Sequence, residues 1–204
     1  RVIKTASTAG FDMALDEERK ALWLVGNSIK KFDLELNPLL EINPIKWCAA
    51  SVDIDSDGSI WVAEREHRDV PQSTNRIFKI HPSGQILKTV NLAWSPLCVR
   101  VDHSDRGVWV TGIATSKPIT QRLLDSIERR TGKLQIGKWA RGLLTKTRVS
   151  PETAKYDPNG KLLHRISHGG HTLEIDPSDH SVWLAAMDKV LGTSALDTFV
   201  GQRE

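Results

Sequence analysis

Three short stretches carry side chains that could do chemistry. DIDSDGSIWVAE, Asp53 to Glu64, fits the calcium-loop pattern D-x-D-x-D-G-x5-E, with Gly58 at its tight turn and Glu64 as its last ligand. HGGH, His168 to His171, sets two imidazoles about two glycines, where loop backbone can approach a ligand closely. EREH, Glu64 to His67, adds a carboxylate, the Arg65 guanidinium and another imidazole. Histidine is the usual acid or base near neutral pH, and a carboxylate beside it can orient the ring. His168, His171, Glu64 and His67 are therefore the candidate catalytic set. Trp47 and Trp94 could form an aromatic platform for a sugar or apolar ligand. With Arg65, Asp188 and Lys189 they make the candidate ligand-binding set. No metal ligands are assigned, because the spacing of these residues along the chain is not that of a metal motif.

The elements that must position these groups decide between the readings. An EF-hand needs a helix on each side of its loop. Pro44 stands upstream of Asp53 and Pro71 downstream of Glu64, and neither flank has a helical stripe. The same frame also recurs where the ligand pattern does not. Phe11–Gly26, Ala50–Glu64, Leu97–Gly112 and His171–Ala186 each read as an alternating apolar pair, an aspartate, a polar turn and apolar-Trp-apolar. The aspartates are Asp16, Asp55, Asp102 and Asp176; the tryptophans are Trp23, Trp61, Trp109 and Trp183. The pattern predicts a β-hairpin whose second strand is apolar on both faces and so must be covered on both. Asp53–Glu64 is then a strand, a turn and a strand.

A second strand-turn-strand unit follows the first: Ser28–Ile42, Asn75–Val90 and Thr153–Ser167, with Pro82-Ser83-Gly84 and Pro158-Asn159-Gly160 as turn signals. Residues Ala195–Gly201 could supply a weak third strand to the last unit, and Val2–Ala6 an outer strand. Two successive hairpins make a four-stranded antiparallel meander of about 40 residues, the period of propeller blades. SVDIDSDGSIWVAE…NRIFKIHPSGQILKTV resembles a blade of the NHL-repeat and streptogramin-lyase-like propellers, and the gluconolactonase/regucalcin group has similar blades. The resemblance covers most of the chain outside residues 113–152. It implies an all-β fold, a β-propeller of four-stranded antiparallel blades in one domain over residues 1–204, with about four blade equivalents. Six or seven blades are usual in those families, so an incomplete or atypical ring is expected.

Residues 113–152 interrupt the third unit as an irregular basic insertion. Lys117–Arg148 holds nine Lys or Arg and two Asp or Glu, a local charge of +7 against −4 for the remainder. A solvated basic loop is expected there, and nucleic acid is not, since Trp139 alone is available for stacking. No apolar run is long enough to span a bilayer as a helix, and there is no P-loop, GxGxxG or GxSxG. Cys48 and Cys98 are expected as two buried thiols, too few for a disulfide scaffold.

Two functions remain open. One is a binding scaffold that presents its loop-rich face to a protein, peptide or glycan, with no cofactor. The other, permitted by the resemblance to streptogramin lyases, is a lyase or lactonase that uses the histidine cluster with a divalent cation such as Ca or Mg. An incomplete ring would also allow self-association. Nothing in the residues indicates a compartment.

Overall fold

The computed structural model describes residues 10–44, 48–65, 74–116, 148–166, 169–187 and 196–202. Among them all regular structure is β-strand, in four antiparallel sheets that follow one another along the chain. The first sheet holds β1 (Asp12–Asp16), β2 (Ala21–Val25), β3 (Ile29–Asp33) and β4 (Pro38–Ile42). The second holds β5 (Cys48–Ile54), β6 (Ile60–Arg65), β7 (Arg76–Ile80) and β8 (Ile86–Asn91). The third holds β9 (Ser95–Asp102), β10 (Gly107–Ser116), β11 (Arg148–Tyr156) and β12 (Leu162–Ile166). The fourth holds β13 (Thr172–Ile175), β14 (Val182–Met187) and β15 (Leu196–Gln202). Every sheet is an up-and-down meander, each strand paired with its predecessor. The weak strand expected near Ala195–Gly201 is β15, paired along β14. Val2–Ala6 lies outside the described residues.

Asp53–Glu64 is a hairpin. Asp53 pairs with Trp61 and Ile54 with Ile60, and Gly58 takes the turn at φ 81°. That left-handed conformation is what glycine adopts at little cost. The proline-containing turns behave alike: Gly84 (φ 93°) and Gly160 (φ 79°) close them, each donating its N–H to the carbonyl three residues earlier, His81 and Asp157. The ends of the basic insertion are regular, since β10 and β11 form a ladder out to Ser116 opposite Arg148. Residues 117–147 lie outside the described part.

The sheets pack face to face in chain order, and one apolar cluster fills each junction. Trp23, Val25 and Ile29 of the first sheet meet Val52, Ile60, Val62 and Phe78 of the second. Trp61 and Ile77 meet Val99, Val101, Val108 and Val110 of the third. Trp109 and Cys98 meet Leu173, Val182 and Leu184 of the fourth. The tryptophan of a sheet therefore faces the next sheet, and the alternating apolar pair of its first strand faces the previous one. This is why β6, at Ile60–Val62, is buried on both faces. Cys48 and Cys98 are free, buried thiols.

The first strands of the sheets converge. In a flat stack, sheets about 10 Å apart would hold the first and third roughly 20 Å from each other. Yet the Arg100 guanidinium, on β9 of the third sheet, lies 3.7 Å from the Asp12 carboxylate on β1 of the first and 3.0 Å from Glu174 on β13 of the fourth. The sheets therefore fan about their first strands. Among the described residues no closed ring is found.

Candidate functional site

The point of convergence is polar because strand alternation makes it so. The residue two positions before each anchoring aspartate shares a face with that sheet's tryptophan: Ala14 pairs with Trp23, Asp53 with Trp61, Arg100 with Trp109 and Glu174 with Trp183. Those four residues line one cleft of about 650 Å³, together with His103 and Arg19 from the hairpin turns. Two positions earlier in each strand stand Asp12, Ser51, Cys98 and Thr172, which contact one another in series. Ser51 Oγ donates to Asp12 Oδ2 at 2.7 Å and lies 3.9 Å from Cys98 Sγ, which lies 3.8 Å from Thr172 Oγ1.

This arrangement has a physical cause. A first strand is the edge of its sheet and leaves N–H groups without a ladder partner. The edges of β5 and β9 are capped by side chains from the preceding sheet. Asp12 accepts from Val52 N–H at 3.1 Å, Ser51 Oγ from Val99 N–H at 3.2 Å, and Asp53 Oδ2 from Val101 N–H at 2.7 Å. Burial pushes the Asp53 carboxyl up, against the pull of its backbone hydrogen bonds. The Asp53 carboxyl, the Arg100 guanidinium and Glu174 thus face one space.

At the turn end of the first strands, carboxylates and cations lock neighbouring sheets. Asp55 is buried and accepts from Lys79 at 2.6 Å within its own sheet, and from Arg106 of the next at 2.8 and 3.0 Å. Burial alone would raise its pKa, but the bonds from Arg106 and Lys79 outweigh it and hold the carboxyl below the usual range. Asp102 repeats the theme, with Lys155 Nζ at 3.6 Å and His180 Nδ1 of the next sheet at 3.3 Å. Burial is opposed there by Ser104, Lys155 and His180, and the carboxyl is again lowered. The lysines also lie over the tryptophans: Lys31 over Trp23 at 5.1 Å, Lys79 over Trp61 at 6.0 Å and Lys155 over Trp109 at 5.2 Å. The carboxylates of the calcium-like stretch are thus engaged by protein cations and backbone: Asp53 by Val101, Asp55 and Asp57 by Lys79 and Arg106, and Glu64 by Arg76.

The residues singled out from sequence separate into two groups. Trp47, His67, His168, Asp188 and Lys189 lie outside the described residues. Glu64 is closed off from solvent and ion-paired with Arg76, whose guanidinium also donates to Pro44 O at 2.8 Å. Arg65 ends β6 opposite Cys48, half-buried. Trp94 is buried in the junction between the second and third sheets, where it covers the core. His171 is exposed just before β13. The glycines of HGGH answer to the protein's own backbone: a Cβ at Gly169 would lie 2.6 Å from Glu152 N, and one at Gly170 would lie 2.1 Å from Ala185 O. Among the described residues no group of three or more His, Cys, Asp or Glu side chains gathers as a metal site. The cleft residues Arg100 and Glu174 were not singled out from sequence. The signal was there, a fixed offset of two from the anchoring aspartate, but only convergence of the strands gives that offset meaning.

No family model matches the chain, and no curated protein matches it. Among solved structures it is similar to a protein of unknown function from Bacteroides caccae, at 13% identity and a TM-score of 0.53. That likeness covers 87% of this chain and 53% of the other, so the chain spans about half the length of the structure it matches. At such identity the likeness is one of fold. No helix among the described residues is long and apolar enough to cross a membrane.

Proposed function

We propose that the four sheets are blades of a β-propeller of the NHL-repeat and streptogramin-lyase-like kind, and that the chain is a binding module for a peptide bearing basic side chains. The contact of Arg100 with both Asp12 and Glu174 supports the blade reading, because first strands that meet about one axis are what a propeller requires. The observation that carries the binding reading is the cleft itself. One repeat position from every sheet opens into it, and two of its carboxylates, Asp53 and Glu174, stand beside a guanidinium already matched by Glu174 and Asp12. An incoming lysine or arginine would compete with Arg100 for Glu174 and take the second oxygen of Asp53, while the peptide backbone could meet His103 and Arg19 at the rim. Rigid strands hold these groups, so little order is lost on binding. Glu64, the carboxylate expected to polarise a histidine in a lyase or lactonase, is held by Arg76.

Calorimetric titration with a short lysine- and arginine-rich peptide and with its acidic counterpart tests the reading. The basic peptide should bind, more weakly as salt rises. Asp53→Asn and Glu174→Gln should each weaken it about tenfold, roughly 1.4 kcal/mol. Equal binding of the two peptides, or affinity indifferent to both substitutions, would remove the cleft from the function.

A further inference from the structure

The three junctions between sheets are versions of one interface, and each half of that interface appears once more at the ends of the array, with no described sheet against it. One half is a tryptophan with an anchoring aspartate; the other is an apolar pair on the following first strand with a turn residue at positive φ. That turn position is Lys20, Gly58, Arg106 and His180 in successive sheets, at φ 51°, 81°, 60° and 58°. Arg106 and His180 each reach back to the aspartate of the preceding sheet, Asp55 and Asp102. At Gly58 the cation comes from the other side, for the Arg19 guanidinium fills the space a side chain at 58 would take and joins Asp16 to Ser56 O.

At the ends the same parts stand open. Trp23, Trp61 and Trp109 are at most 3% exposed, whereas Trp183 is 42% exposed. The apolar pairs that meet those tryptophans are buried or half-buried, whereas Met13 is 65% and Leu15 52% exposed. Lys20 is exposed on the first sheet, and among the described residues no cation meets Asp176 on the fourth, whose carboxylate accepts from Ser178. The two ends are thus complementary in shape class and in charge, and neither is complementary to itself.

We propose that a second copy of this chain fills both ends, head to tail, with Trp183 of each copy packed on Met13 and Leu15 of the other and Lys20 on Asp176. Two such contacts close a pair of chains, and the repeated interface runs on through both without a break. This rests on the junction geometry; Met13 and Leu15 also line the cleft, so the pairing is tested with no peptide present. An isologous contact would set like on like, tryptophan face on tryptophan face, and leave Lys20 and Asp176 apart.

Sedimentation of the full chain over a wide range of concentration tests this, with circular dichroism to verify that each variant is folded. The wild type should have the mass of two chains. Leu15→Asp alone and Trp183→Asp alone should each sediment as single chains, because every head or every tail is spoiled. Their equimolar mixture should recover a pair through the one intact contact, Trp183 of the first on Leu15 of the second. If Trp183→Asp does not fold, Asp176→Lys replaces it and Lys20→Asp replaces Leu15→Asp in the same scheme. A wild type that stays a single chain overturns the proposal and assigns both faces to other occupants, such as further sheets of a longer chain. Pairs that survive in either single variant, or a mixture that does not pair, overturn it equally.

Discussion

At the scale of single residues, the same side-chain type has unequal worth according to burial. Asp55 is 1% exposed and holds Lys79 and Arg106. Removing it leaves Lys79, itself buried, beside one remaining carboxylate that is 42% exposed, that of Asp57. Asp55→Ala should therefore cost about 3 kcal/mol in urea unfolding, the range for breaking a buried pair from one side. Asp57→Ala should cost less than about 1 kcal/mol, as solvent-screened pairs do. Equal costs would mean that the Asp55 cluster is not the lock between the second and third sheets.

At the scale of the element, a strand takes its burial from its place in the series. Ile60-Trp61-Val62 and Val182-Trp183-Leu184 are near copies in sequence, on β6 and β14. The first tryptophan is enclosed by the third sheet; the second has no described sheet beyond it. Trp61→Ala should destabilise the chain by roughly 3–5 kcal/mol, as for a large buried aromatic. Trp183→Ala should change the stability of the single chain by about 0.5 kcal/mol. Comparing the two by chemical denaturation below the concentration at which chains pair separates packing within the chain from packing between chains. A large cost for Trp183→Ala in the single chain would show that the last face is already covered.

At the scale of the whole molecule, the junction carboxylates tie stability to pH. Asp55, Asp57 and Asp102 are held below the ordinary aspartate value, against burial, by lysine, arginine and serine partners and, at Asp102, by His180. The unfolded chain therefore takes up protons first as pH falls. Their stabilisation is complete above about pH 4, the unfolded aspartate value, and is lost as pH drops through the lower folded values. Asp53 has the opposite sign: burial raises it, so the folded state binds its proton first and gains slightly on mild acidification. Urea midpoints should hold or rise a little from pH 6 to about 4 and fall steeply below it. A midpoint already falling steeply between pH 7 and 5 would assign the acid transition to groups other than these carboxylates.

What the residues determined by themselves is the local grammar. Alternation, turn residues and the aspartate-to-tryptophan spacing are set by neighbours within a few positions, and they placed the first two strands of every sheet, the proline turns and the hairpin nature of Asp53–Glu64. The enclosure of Trp23, Trp61 and Trp109 also followed, since a strand apolar on both faces must be covered. What only the tertiary structure decided is where equivalent positions meet. Ala14, Asp53, Arg100 and Glu174 are far apart along the chain and become one cleft because the sheets fan about their first strands. Glu64, expected from sequence to orient an imidazole, is ion-paired with Arg76 twelve residues on, and Trp94 is buried between two sheets. Chemistry assembled from single residues of separate elements depends on the angle between those elements, and that angle is fixed by packing across junctions, not by the order of residues within any one strand.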